Sequence, residues 1–129
     1  MAKTVIRSQR LGDGDDGARG VKVGNLIFLQ GHVAVDGNRQ VVCVGDMRGQ
    51  TERVFERMRI ALEEVGATMA DMVQYTAFVT DVSKLNEFQE VRDRYINKAN
   101  PAAGTLVEVK SLAHPDYLIE IDGIAVTQA

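Results

Sequence analysis

The chain has one cysteine, Cys43, among 129 residues. A single thiol makes no intramolecular disulfide, which fits a reducing, cytoplasmic setting. No apolar run approaches the ~20 residues needed to span a bilayer, so no membrane partner is expected. The opening Met1-Ala2-Lys3-Thr4-Val5-Ile6-Arg7 carries charge but lacks the apolar stretch of a secretory signal. Charge of one sign is also scarce: 15 Lys and Arg stand against 18 Asp and Glu, a formal net charge of −3. That balance offers no basic footprint for a phosphate backbone, so no nucleic-acid partner is expected. Internal repeats, low-complexity tracts and interdomain linkers are absent.

Several catalytic signatures are missing too. There is no Gly-rich phosphate loop ending in Lys-Ser/Thr, no GxSxG elbow and no HExxH. Gly12-Asp13-Gly14-Asp15-Asp16-Gly17 has the flavour of a calcium loop but lacks the bidentate Glu six residues after its Gly, and reads as a flexible surface loop. Two histidines, His32 and His114, and the lone Cys43 do not make a zinc set. No metal site is therefore expected, and Cys43 reads as a small buried hydrophobe.

What is present is an ordinary globular mix, 45% hydrophobic and 26% charged, of a length that suits one domain over residues 1–129. Val21–Val23 and Leu26–Gly31 read as two strands joined at Gly24-Asn25, a hairpin-type turn. A further short strand is expected over Gln40–Val44. Asp46 is the candidate N-cap of a helix whose apolar stripe is Val54, Met58, Ala61, Leu62 and Val65, with Phe55 beside it. Glu52, Arg53, Glu56, Arg57, Arg59, Glu63 and Glu64 are expected to cover its solvent side, and Gly66 fits the C′ stop.

Met72–Val79 reads as the central strand, with Val73, Tyr75, Ala77 and Val79 on one side. A second helix after Thr80-Asp81 presents Val82, Leu85, Phe88, Val91 and Tyr95, and Pro101 marks its exit. Thr105–Val109 and Leu118–Val126 close the chain as strands. The class is α+β: one mixed sheet with both helices on one face. The other face, apolar and uncovered, predicts self-association, with sites between subunits.

In the last strand Ile119, Ile121 and Ala125 share one face, and Leu118, Glu120, Asp122, Ile124 and Val126 share the other. A carboxylate inside an apolar strand must be paired, hydrogen-bonded or protonated. Glu120 is thus either a structural ion pair or a cleft carboxylate suited to proton transfer; Asp122 carries the same argument with less weight. His32, after Gly31 at a strand end, either reaches a cleft or is satisfied by backbone. His114, before Pro115, is a solvated turn residue.

The ordered set of motifs resembles the RidA/YjgF reactive-intermediate deaminases. Gly24-Asn25-Leu26-Ile27-Phe28-Leu29-Gln30-Gly31-His32 is similar to that family's hairpin. Gln50-Thr51 and Leu62-Glu63-Glu64-Val65-Gly66-Ala67 resemble its first helix, and Val79-Thr80-Asp81 its central strand end. Val107-Glu108-Val109 and Leu118 through Val126 resemble its closing strands. The match runs from about Val21 to Val126.

The resemblance implies a chorismate-mutase-like subunit, a homotrimer with a small-molecule ligand in each inter-subunit cleft, and cofactor-free hydrolysis of an enamine or imine such as 2-aminoacrylate. It assigns Glu120 as the catalytic, water-positioning carboxylate. Where the family carries a substrate-clamping arginine, this chain has Ala103 or Gly104, depending on the register. Gly17 stands at the family's tyrosine, Gln89 at its second-helix asparagine and His32 at its hairpin glutamine. His32, Arg19, Gln89, Ala103, Gly104 and Thr105 are the expected substrate-binding residues, with Arg19 the candidate replacement cation. The small Ala103-Gly104 pair predicts a roomier cleft, and the missing clamp predicts a substrate other than 2-aminoacrylate. The alternative is a trimer that binds a small molecule without turnover.

Overall fold

The computed structural model describes residues 2–128. Its strands are β1 (Lys3–Ile6), β2 (Gly20–Val23), β3 (Leu26–Val33), β4 (Met72–Val79), β5 (Ala103–Glu108) and β6 (Ile119–Val126); its helices are α1 (Met47–Glu63) and α2 (Leu85–Tyr95). The strands form one mixed sheet in the order β1-β2-β3-β6-β4-β5. β4 and β5 run parallel, and the other neighbouring pairs are antiparallel. β1 has no counterpart in the sequence-based expectation.

Local chemistry explains why α1 starts and stops where it does. The Asp46 carboxylate accepts the Gly49 N–H at 3.0 Å, satisfying one of the helix's free donors. At the other end Gly66 adopts φ +76°, a conformation glycine takes without a Cβ penalty. The Ala67 N–H then donates to the Leu62 carbonyl at 3.0 Å and the Gly66 N–H to Glu63 at 3.2 Å, the paired bonds of a Schellman stop.

Both helices cover one sheet face. Val54, Phe55, Met58, Ala61 and Leu62 of α1, with Phe88 and Val91 of α2, are buried with Ile27, Leu29, Ala77, Val79, Ile119, Ile121 and Ala125 of the sheet. The Phe55 ring stacks on Tyr95 with centroids 5.2 Å apart and lies 6.3 Å from Phe88, tying the two helices together. The opposite face carries Leu26, Phe28 and Val107 as exposed apolar side chains. No helix among the described residues is long and apolar enough to cross a membrane.

Two β-bulges change the expected facing. In β3 the register shifts between Leu29, opposite Gly123, and His32, opposite Ile121, so Gln30 and Gly31 together face Asp122. The extra residue turns His32 inward. In β4 the register shifts between Met72, opposite Ala125, and Gln74, opposite Ile124. Met72 is buried there, and Val73, expected inside, is exposed.

The expected Gln40–Val44 strand is instead a turn with a single bridge between Val35 and Val41. Cys43 sits in it at φ +54° and is exposed, not buried, because no ladder holds this segment against the sheet. Val82 lies in a short 3-10 turn ahead of α2 and is exposed. Arg57, expected on the solvent side of α1, is buried at 2% exposure, since it is three residues from Val54 and four from Ala61 on the inward stripe.

Candidate functional site

The sheet register lays out the uncovered face in rows. Glu120 of β6 pairs with Val33 of β3 on one side and Phe78 of β4 on the other, and Phe78 pairs with Val107 of β5. The next row is Asp122, Thr76 and Thr105; the one after is Phe28, Ile124, Gln74 and Ala103. Glu120 therefore stands in an apolar row, with Asp122 its nearest charged neighbour along the strand.

Glu120 is half-buried and has neither a hydrogen bond nor an ion pair among the described residues. Burial, then the Asp122 charge, raises its pKa above the usual carboxylate value. Its carboxylate lies directly over the backbone of the β3 bulge: a Cβ on Gly31 would come within 1.9 Å of Glu120 Oε2. Gly31 thus serves close approach, leaving a half-buried carboxyl beside open main chain. A cavity of about 220 Å³ on the same face is lined by Phe28, Leu29, Gln74, Asp122, Gly123 and Ile124.

The other expected site residues divide between the faces. Ala103 and Thr105 share the open face with Glu120, by register. Gly104 points the other way, under Tyr75, where a Cβ would meet the ring at 2.2 Å. His32 is fully buried on the helix side, with Nε2 at 3.2 Å from the Arg19 carbonyl. Burial, with the Arg57 and Arg19 charges behind it, pushes its pKa down to about 3 against the pull of that hydrogen bond. A neutral, enclosed imidazole does not reach a cleft, and that expectation is corrected. Arg19 is mostly buried and ion-paired with Asp13 at 3.2 Å, so its charge is offset in part. Gln89 is half-buried on α2, the helix that packs against α1 on the covered side.

The structure also brings in residues that sequence reasoning missed. Arg92, Lys98 and Asp93 line a cavity of about 280 Å³ with Tyr75, Ile96, Pro101, Ala102 and Gly104. These cations stand beside the Gly104 position, but both pair with Asp93, at 3.0 and 3.2 Å, and the cavity is on the helix side. Gln50, fully buried on α1, accepts the Leu118 N–H at 2.8 Å and donates to the Asp116 carbonyl at 2.8 Å, fixing the entry to β6 two residues before Glu120. Its signal was its place one turn ahead of Val54 on the buried stripe. Among the described residues no group of three or more His, Cys, Asp or Glu could hold a metal ion.

This geometry has relatives. Residues 18–127 match the family model Endoribonuclease L-PSP. A RutC family protein of Pyrococcus abyssi is 36% identical over 108 residues, covering 84% of each chain. The 3-aminoacrylate deaminase RutC of Acinetobacter baylyi is 32% identical over 104 residues, 81% of each. Among solved structures, a YjgF/YER057c/UK114 family member of Mycobacterium tuberculosis superposes with a TM-score of 0.80 at 30% identity, covering 98% of this chain and 100% of that one. On this footing the chain belongs to the Endoribonuclease L-PSP family, that of the RidA/YjgF and RutC proteins.

Proposed function

We propose that the chain is a hydrolytic deaminase of an imine or enamine that lacks a carboxylate, acting as a homotrimer with Glu120 in clefts between subunits. The observation that carries this reading is the unpaired Glu120 carboxyl, held in the apolar row of Val33, Phe78 and Val107 above the Gly31 backbone. A carboxyl whose pKa is raised by burial keeps its proton to higher pH than an ordinary carboxylate, which suits it to donate that proton. It protonates the C=N nitrogen (for an enamine, the β-carbon), and as carboxylate takes a proton from the water that attacks carbon. Glu120, protonated again by that step, gives its proton to the carbinolamine nitrogen and takes the hydroxyl proton as the C–N bond breaks. This releases a carbonyl compound and ammonia and leaves Glu120 protonated as at the start.

Charge supports the choice of substrate. Glu120 and Asp122 share the face and, among the described residues, no cation pairs with Glu120 there, whereas an acid substrate needs a charge-assisted clamp. Ala103 and Gly104 supply none. A neutral imine, or the iminium it becomes, suits two carboxylates. The curated relative named 3-aminoacrylate deaminase supports C=N hydrolysis as the reaction class. Leu26, Phe28 and Val107 support burial of this face against further copies.

The test is a trapping competition. An amine oxidase generates carboxylate-free imines, an amino-acid oxidase generates 2-imino acids, and semicarbazide captures what survives. Native protein is expected to speed loss of the first class, and Glu120→Gln to lower that rate at least ~100-fold, the usual weight of general acid–base catalysis, while remaining assembled. No acceleration with either class refutes turnover and leaves a ligand-binding trimer.

A further inference from the structure

The edge where α1 meets the end of β3 holds a second group of charges that the reading above does not use. Arg19, Arg39 and Arg57 line a cavity of about 120 Å³ with Asp13, Leu11, Val33, Val35 and Tyr117, where the loop before β2 meets α1 and the end of β3. Arg57 is the unusual member. It is buried on α1 with no ion pair among the described residues, and its Nε has no hydrogen-bond partner. Its Nη1 reaches the Val35 carbonyl only at 3.4 Å, and Arg53 Nε already donates to that oxygen at 2.8 Å. A guanidinium carries five donors, so one long shared bond leaves most of them without a partner.

The local charge does not balance. Asp13 is engaged on both oxygens, with Oδ1 at 3.2 Å from Arg19 Nε and Oδ2 accepting the Ser8 N–H at 3.0 Å. Asp36, the other nearby carboxylate, accepts the Asn38 and Gln40 N–H groups at 2.8 and 3.0 Å. Counting the flanking Arg53, four guanidinium groups face two carboxylates, and the neutral His32 adds nothing. Burial, then the Arg19 and Arg53 charges, pushes Arg57 down to about 10. A buried like-charged cluster of this kind is stable when a counter-ion completes it.

We propose that this cavity binds a phosphate-sized oxyanion, as inorganic phosphate or the phosphate head of a small monoester, through Arg19, Arg39 and Arg57. The two excess positive charges match a phosphate, which carries about −1.5 to −2 near neutrality, and forked guanidinium donors suit its oxygens. The cavity size admits the head group and leaves an ester substituent outside, past the exposed Arg39.

Titration calorimetry on the full chain tests this at fixed ionic strength, with inorganic phosphate, glycerol 3-phosphate, acetate and sodium chloride as probes. Saturable 1:1 binding of either phosphate is expected, with chloride inert and acetate at least tenfold weaker. Binding of inorganic phosphate alone marks a free-ion site; tighter binding of the ester marks a monoester site. Arg57→Met and the exposed Arg39→Ala are each expected to weaken phosphate at least tenfold. The second variant stands on its own if the first does not fold. Absence of saturable phosphate binding, acetate binding as tightly as phosphate, or unchanged affinity in Arg39→Ala overturns the proposal. The readout is independent of Glu120.

Discussion

The two faces of the sheet are built from the same strands and solve opposite problems. On the helix side, Ile27, Leu29, Ala77, Ile119, Ile121 and Ala125 are almost wholly enclosed. Gln50 is tied to the backbone at the entry to β6 and His32 by one nitrogen to the Arg19 carbonyl, while the Arg57 guanidinium is left short of partners. On the other side the same alternation puts Leu26 and Phe28 at 40% exposure, among Gln74, Thr76, Thr105 and two carboxylates. The apolar core of one face is complete within a single chain. The other has apolar area without cover and a carboxyl without a partner, which is the arrangement expected of a surface finished by another subunit and a ligand.

Two phenylalanines give the strongest way to sharpen that contrast. Phe55→Ala empties the centre of the Phe88–Phe55–Tyr95 cluster and is expected to cost about 3–5 kcal/mol in urea unfolding. Phe28→Ala, at similar chemistry on the open face, is expected to change secondary structure little and to act on assembly. Equal losses of chain stability in the two variants would erase the distinction between the faces.

Acid unfolding gives the next largest effect. His32 is neutral in the native state to about pH 3, whereas the unfolded imidazole takes up a proton near the ordinary value of about 6.5. The unfolded state therefore binds more protons across that window, so the contribution is intact above it and lost as pH falls. Between pH 7 and pH 4 the expected loss is roughly 3 kcal/mol. His32→Gln is expected to flatten this part of the stability profile.

Glu120 has the opposite sign and a smaller effect. Its native pKa is raised, so the folded state holds the proton longer and stability falls slightly as pH rises through the range above the usual carboxylate value. Glu120→Gln is expected to remove that slope, measured by thermal unfolding between about pH 4 and 6.

How much of this was legible follows from where the residue period holds. In β6 the alternation is unbroken, so the facing of Ile119, Glu120, Ile121 and Asp122 could be read directly. The stripe and caps of α1 were equally open, because Asp46 and Gly66 are chemically specific to helix ends. His32 and Val73 were misplaced by the same physical cause. A bulge adds one residue to a strand and reverses facing beyond it, and neither Gln30-Gly31 nor Met72-Val73 announces that in composition. Arg57 was misassigned because charge was weighed above helical position. The Arg92–Tyr75–Gly104 cavity brings together residues from three segments, which the parallel pairing of β4 and β5 and the placement of α2 over them unite.

The central claim is that copies of this chain finish the open face around Glu120. Light scattering on the eluting native protein and on Phe28→Asp, with circular dichroism to confirm folding, tests it most directly. The account predicts a native mass of three times 14.1 kDa and a folded variant near 14.1 kDa. A native protein that stays at 14.1 kDa at the highest soluble concentration, or a Phe28→Asp variant that assembles as the native chain does, would contradict it.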